Sequence, residues 1–273
     1  MIIDFHTHIF PDKIASSTIG ALASNSGSTA YTDGTVKGMV DALTRANADI
    51  AVALPVLTKA TQFDSVLNFA CSVNEQFKNE KRKIVSFAGM HPDCDDIDGK
   101  MQKIKSLGIK GIKIHPDYQS TYIDDPRYIE ILKCAKKYDL IVVTHSGIDN
   151  GYVGQPVRCP VDRVLKVIEE VDYDKFVLAH FGAHKLWSEV LDKLAGKNVF
   201  FDTAFTLHEI DKDLFKDIVY KHGCDKVLFA TDCPWRDIVD DYQILSSYGL
   251  DKECLDKILY KNAIKLLNLE VKL

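Results

Sequence analysis

A single (β/α)8 barrel is the fold the sequence predicts, from three observations. Short β-branched runs alternate with longer amphipathic stretches along all 273 residues. The runs are apolar without a polar face, as in Leu140-Ile141-Val142-Val143, which suits strands buried on both sides of a parallel sheet. A chain of about 250 residues is also what such a barrel needs as one domain. In order, the strand candidates are 2–8, 49–54, 83–90, 110–115, 140–145, 175–180, 198–203 and 226–231. The helical patterns that follow them are 34–46, 64–79, 97–107, 125–138, 161–171, 185–195, 209–222 and 238–248, and a last helical segment at 252–269 closes a single domain spanning 1–273. Strand–helix alternation implies βαβ units with right-handed crossovers. A doubly wound open sheet is the competing architecture. Two connections exceed ordinary turns: 16–35, rich in Ser, Thr, Gly and Ala, and 146–160, with three Gly and two Pro. Both leave the C-terminal ends of strands, where they serve either as surface filler or as lids over a site.

Composition removes several function classes. Hydrophobic residues make up 46% of the chain, enough to offset the entropy of ordering it, so disorder is excluded. The 34 Lys+Arg against 39 Asp+Glu leave a net charge of −5, which speaks against nucleic-acid binding through bulk positive charge. No apolar run reaches the roughly 18 residues that span a bilayer. The start, Met1-Ile2-Ile3-Asp4-Phe5-His6, carries no basic segment or signal-peptide core. Seven cysteines, odd in number and without a C-x-x-C pair, read as reduced thiols of a cytoplasmic protein.

The histidines carry the chemistry. On a strand, residues two apart share a face, so Asp4, His6 and His8 are expected to project together. An H-x-H pair alone is weak evidence. However, His91, His115, His145 and His180 end the third to sixth strand candidates, and Asp232 ends the eighth. Six of nine histidines thus fall where a barrel gathers its catalytic groups. Burying them unpaired is costly, and one divalent metal ion is the simplest compensation. Nitrogen and oxygen ligands without thiolate favour zinc, with manganese, iron or cobalt as substitutes. His184, His208 and His222, in or beside helical patterns, read as structural or solvated.

With these residues in view, the chain resembles the amidohydrolase superfamily, and within it the group that contains aminocarboxymuconate-semialdehyde decarboxylase. The resemblance runs from Ile3-Asp4-Phe5-His6-Thr7-His8 through Gly111-Ile112-Lys113-Ile114-His115-Pro116, Thr144-His145-Ser146-Gly147, Leu178-Ala179-His180-Phe181-Gly182 and Ala230-Thr231-Asp232-Cys233-Pro234 to Lys261-Asn262-Ala263-Ile264-Lys265-Leu266-Leu267. It implies His6, His8, His145 and Asp232 as metal ligands. His180 and Asp232 are implied as the catalytic pair, His180 acting on bound water or substrate without ligating. The family's usual His-x-Gly-Gly reads His180-Phe181-Gly182-Ala183 here.

The expected chemistry is a metal-bound water attacking the carbonyl of a small, acidic amide, lactone or ester, with Asp232 accepting its proton. The alternative is nonoxidative decarboxylation of an unsaturated or aromatic acid. Lys113 and His115, two apart and facing inward, are expected to bind substrate, as are Arg158 in the long connection and Trp235 at the mouth, with Arg236 beside it. A carboxylated Lys113 bridging two metals is the minority case. Cys233 alternates away from Asp232 and is assigned to packing, and His91-Pro92-Asp93 to a Pro-stopped strand end. A TatD-type deoxyribonuclease would show a fourth-strand glutamate where Lys113 and His115 stand, and a non-catalytic barrel would have lost ligands that are all present here. The partner is a small molecule; homodimers are common among such barrels, but no sequence feature marks an interface.

Overall fold

A computed structural model describes residues 1–270; the last three positions of the expected domain, 271–273, lie outside them. The eight expected strands are present, all paired in parallel. They are β1 Ile3–Thr7, β2 Ile50–Ala53, β3 Lys83–Ser86 with its continuation β4 Ala88–Gly89, β5 Gly111–Ile114, β6 Ile141–Thr144, β7 Phe176–Leu178, β8 Phe200–Asp202 and β9 Val227–Leu228. The third candidate run is split at Phe87: β3 pairs only with β2 and β4 only with β5. The Phe87 N–H still donates to the Ala53 carbonyl at 2.9 Å, so the wall continues across the break. Closure is made by Phe5 N–H to the Phe229 carbonyl (2.9 Å) and Asp232 N–H to the His6 carbonyl (2.9 Å). The sheet is therefore a closed (β/α)8 barrel rather than an open doubly wound one.

Strand alternation divides the core in two. Ile50, Val52, Ile141, Val143, Val177 and Leu228 pack inside the barrel, while their neighbours Ala51, Val142, Phe176 and Val227 face the helices. Leu266 and Leu267 join the interior cluster beside Ile3, so the last helix plugs the N-terminal end of the barrel and leaves the other end open for a site.

Helices α1 Asp12–Ser26, α2 Val36–Arg45, α3 Phe63–Gln76, α4 Ile97–Ser106, α5 Pro126–Tyr138, α6 Val161–Val171, α7 Trp187–Glu189, α8 Lys212–His222 and α9 Ile238–Ser247 follow the strands. The expected 185–195 helix is a single α-turn that widens into a π-helical turn, Val190–Leu194. The closing segment is helical throughout, as α10 Lys252–Asp256, a π-turn Lys257–Lys261 and α11 Asn262–Leu267. The connection read as 16–35 is largely the added helix α1. Its small residues bury only Ala15, so no apolar stripe betrays it. The thiol expectation is corrected too: Cys224 and Cys254 form a disulfide across 30 residues, and the other five are free. The two meet because the closing helix returns to the start of β9, a proximity no sequence spacing shows. No described helix is long and apolar enough to cross a membrane.

His222, at the end of α8, is structural as expected. Its ring stacks on Phe201 at 3.8 Å between centroids, Nε2 donates to the Val199 carbonyl and Nδ1 accepts from the Gly196 N–H. Burial pushes its pKa down to about 4 despite the Val199 bond. The unfolded chain titrates near 6.5, so between about pH 6.5 and 4 the unfolded state binds the extra proton. This contribution is complete above pH 6.5 and is lost as pH falls. Going from pH 7.5 to 5 is predicted to cost the wild type on the order of 2 kcal/mol more than His222→Gln in urea unfolding; parallel pH dependences would refute this.

Candidate metal centre

The first strand does not alternate simply. Asp4 pairs with Ala51 but Thr7 with Ala53, so β1 holds one more residue than β2 across that stretch. Such a bulge reverses the facing of the residues beyond it. Asp4 turns away from the cavity, accepting from Thr231 Oγ1 (2.6 Å) and Thr231 N–H (3.0 Å), which locks β1 to β9. His6 and His8 turn inward. The expectation that Asp4 shares their face is thus corrected, and its carboxyl, pushed up to about 7 by burial, serves closure.

Three of the four expected ligands converge: one donor atom each of His6, His8 and Asp232 lie within 4.8 Å of one another. Their partners fix which atoms face the centre. His6 Nδ1 donates to Asp202 Oδ2 at 2.9 Å, and His8 Nδ1 donates to the Leu54 carbonyl at 2.9 Å. Each Nε2 is therefore left with a lone pair. His8 Nε2 stands 2.9 Å and His6 Nε2 3.4 Å from Asp232 Oδ1. Burial and the Lys113 charge keep His6 neutral. Burial opposes the charge of the Asp232 carboxylate, and only positive charge placed among its histidine neighbours offsets it. Two nitrogen lone pairs facing an anionic oxygen in a buried site repel unless a cation lies between them. Lys113 Nζ, 3.1 Å from His6 Nε2, meets only part of that need. The set fits a divalent ion of the zinc or manganese kind.

His145 is not in that trio. Its Nδ1 lies 2.9 Å from His180 Nε2, its ring stacks on His115 at 4.4 Å, and it belongs with His115 and Asp149 to a second group of converging donors. Its Nε2 is buried without a hydrogen-bond partner. Because His180 Nδ1 donates to the Ala204 carbonyl (3.0 Å), His180 Nε2 is the acceptor of the His145 bond. Burial lowers His180 to about 4, so it is neutral at physiological pH. His180 and Asp232 both sit at positive φ, 58° and 70°. Asp202 Oδ1 accepts the His180 N–H at 3.0 Å and Trp187 Nε1 donates to the His180 carbonyl at 3.1 Å, holding a conformation that costs non-glycine residues of order 1–3 kcal/mol.

These groups floor a cavity of about 480 Å³. Lys113, His115 and Trp235 line it, and burial lowers Lys113 to about 8. Arg158 does not reach it; Nη1 stands 3.5 Å from Asp117 Oδ1. Arg236 likewise turns to the buried Asp241 at 2.6 Å. His91 caps its own turn by accepting the Asp93 N–H, as assigned, and Cys233 packs against Thr32. His184, read as structural or solvated, instead lines the cavity, held by Ile148 and Glu209. It is carried there by the pairing of Gly147 with His184, where a Cβ on Gly147 (φ 89°) would lie 2.1 Å from the His184 nitrogen.

Sequence reasoning missed Asp202. A signal existed, since it is a lone carboxylate at the C-terminal end of a strand candidate, like Asp232, but no histidine adjoins it. It orients both His6 and His180. Asp202→Asn is predicted to weaken metal affinity 10- to 100-fold with little change in fold, measured by metal titration with circular dichroism as control. Unchanged affinity would refute its orienting role.

A model of the amidohydrolase family matches residues 3–269. No curated protein matches the sequence. Among solved structures, the chain is similar to 2,6-dihydroxybenzoate decarboxylase from Rhizobium (15% identity, TM-score 0.66, 98% of this chain and 98% of that one). It is also similar to 5-carboxyvanillate decarboxylase from Novosphingobium aromaticivorans complexed with manganese (13% identity, TM-score 0.72, 98% and 96%). A TIM-barrel protein from Bordetella bronchiseptica matches at 14% identity and TM-score 0.72, over 98% of both chains. At these identities the likeness concerns the fold, whereas the family match spans nearly the whole sequence: the chain belongs to the amidohydrolase family.

Proposed function

We propose that the protein is a metal-dependent nonoxidative decarboxylase of a small aromatic or unsaturated acid. The observation that carries this is the cavity floor: converging lone pairs of His6 and His8 with Asp232, beside Lys113, the one Lys or Arg among the described residues of the wall. That floor suits an anionic substrate. Decarboxylation is favoured over the expected hydrolysis because the similar barrels of known activity decarboxylate aromatic acids.

In this reading His6, His8 and Asp232 hold one divalent ion, and His145, which stands in the neighbouring group with His115 and Asp149, would have to turn its unpartnered buried Nε2 towards them to be the fourth donor. Bound there, the ion supplies Lewis-acid stabilisation of oxygen charge on the substrate. The Lys113 ammonium neutralises the acid as it enters a water-poor site. Loss of carbon dioxide leaves an electron pair on carbon that must take up a proton. His180, fixed through Nδ1 by Ala204, presents an unprotonated Nε2, which takes a proton from solvent water and delivers it to that carbon, leaving hydroxide to be neutralised by bulk water. His115, stacked between Tyr118 at 3.9 Å and His145 at 4.4 Å, has both faces covered and offers a substrate only its edge. A small-molecule substrate and a cytoplasmic setting complete the proposal; five free thiols support the latter and the Cys224–Cys254 bridge counts against it.

The test incubates zinc- and manganese-loaded protein with hydroxybenzoates, lactones and amides, following headspace carbon dioxide and products. Carbon dioxide in step with loss of acid is expected. Lactone or amide opening without it would return the reading to hydrolysis. His180→Ala is predicted to lower kcat by about 10²–10⁴-fold while bound metal, by elemental analysis, stays at the wild-type level; unchanged turnover would remove His180 from the mechanism.

A further inference from the structure

The cavity is larger than its chemistry needs. A single-ring acid seated at the metal end fills only part of about 480 Å³, a size that holds drug-like ligands. Part of the cavity wall is supplied by α1 and the start of α3. Its walls there are Ile14 and Leu22 on α1, Val56 after β2, and Val66 and Phe69 on α3. Thr18 and Ser26 add hydroxyls on the α1 side, and none of these groups carries a charge. A second carboxylate at that end would be desolvated with no cation to meet it, at a cost that excludes a dianion. The cavity's other carboxylate besides Asp232, Asp149, accepts from the Gly151 N–H at 2.7 Å and lies 3.5 Å from His115 Nε2.

We propose that this annexe binds an uncharged, mainly apolar substituent, so that the substrate is a monoanionic acid with a hydrocarbon arm opposite its carboxylate. The inference rests on the decarboxylase reading for the identity of the head group only. Helix α1 is the specificity element. It buries only Ala15 in the core; Ile14, 48% exposed, and the half-buried Leu22 line the cavity, while Ile19 lies against Gly34. It is tethered across the mouth by Asn25 Nδ2 donating to the Gly151 carbonyl at 3.0 Å, so its apolar side stays over the arm while polar side chains face water.

The experiment measures Kd by calorimetry for metal-loaded protein with salicylate and its 4-methyl to 4-pentyl series, alongside carbon dioxide release from the same compounds. Affinity is expected to rise about fourfold per methylene, from roughly 0.8 kcal/mol per buried CH₂. Leu22→Ala should flatten the series. Leu22→Arg, with folding checked by thermal melt, should reverse the preference, tightening a 4-(carboxyalkyl) salicylate at least tenfold over the wild type. A flat wild-type series, or no binding by any member, overturns the annexe. The two readings fail separately: acids that release carbon dioxide with a flat series remove the annexe and keep the decarboxylase, whereas a graded series without carbon dioxide keeps the annexe and removes the decarboxylase.

Discussion

The Asp202 carboxylate is the interaction on which the rest of the site depends. One oxygen takes the Nδ1 proton of His6, and the other takes the backbone N–H groups of His180 and Ala204. That single buried anion sets the tautomer of one imidazole and the backbone of another. Its own burial raises its pKa, and the surrounding positive groups and N–H donors counter this. The effect is to aim a lone pair of His6 at Asp232 instead of a proton. A site whose acceptors face each other is unsatisfied until a cation arrives, so the protein is organised around an ion by the arrangement of its hydrogen bonds.

Barrel geometry makes this arrangement rigid. Donors from β1, β8 and the end of β9 meet because closure puts the first and last strands side by side. The bulge in β1 performs two tasks with one extra residue: Asp4 is sent outward to tie β1 to Thr231, and His6 is sent inward to the centre. Left-handed backbone at His180 and Asp232 marks positions where the fold overrides local preference, and in both cases named hydrogen bonds hold the conformation.

The metal end and the far end of the cavity obey different rules. Near Lys113 the rings of His6, His8 and His180 are each fixed by a named partner, so the chemistry tolerates little displacement. The walls contributed by α1 and α3 are apolar or hydroxylic and the covering helix is lightly packed, so shape and hydrocarbon contact decide what fits there. Catalytic type and substrate choice thus reside on separate elements, as barrels commonly arrange them.

Strand–helix alternation, the places of His6, His8, His145, His180 and Asp232 at strand ends, and the inward facing of Lys113 and His115 were all legible in the chain. Periodicity and the closure rules of parallel sheets act locally and leave a pattern in the order of residues. The features that stayed illegible depend on groups distant in sequence. The bulge that separates Asp4 from His6 is set by pairing with β2; the role of Asp202 requires β8 to stand opposite His6; and α1 lacks a stripe because Ile14 and Leu22 line a cavity instead of a core. Arg158 and Asp117, 41 residues apart, pair where sequence suggested a substrate clamp. Sequence by itself determined which side chains are available and on which strand each stands. Only the closed tertiary structure decided which way their lone pairs point, because a tautomer is chosen by a hydrogen-bond partner and the partners come from other strands.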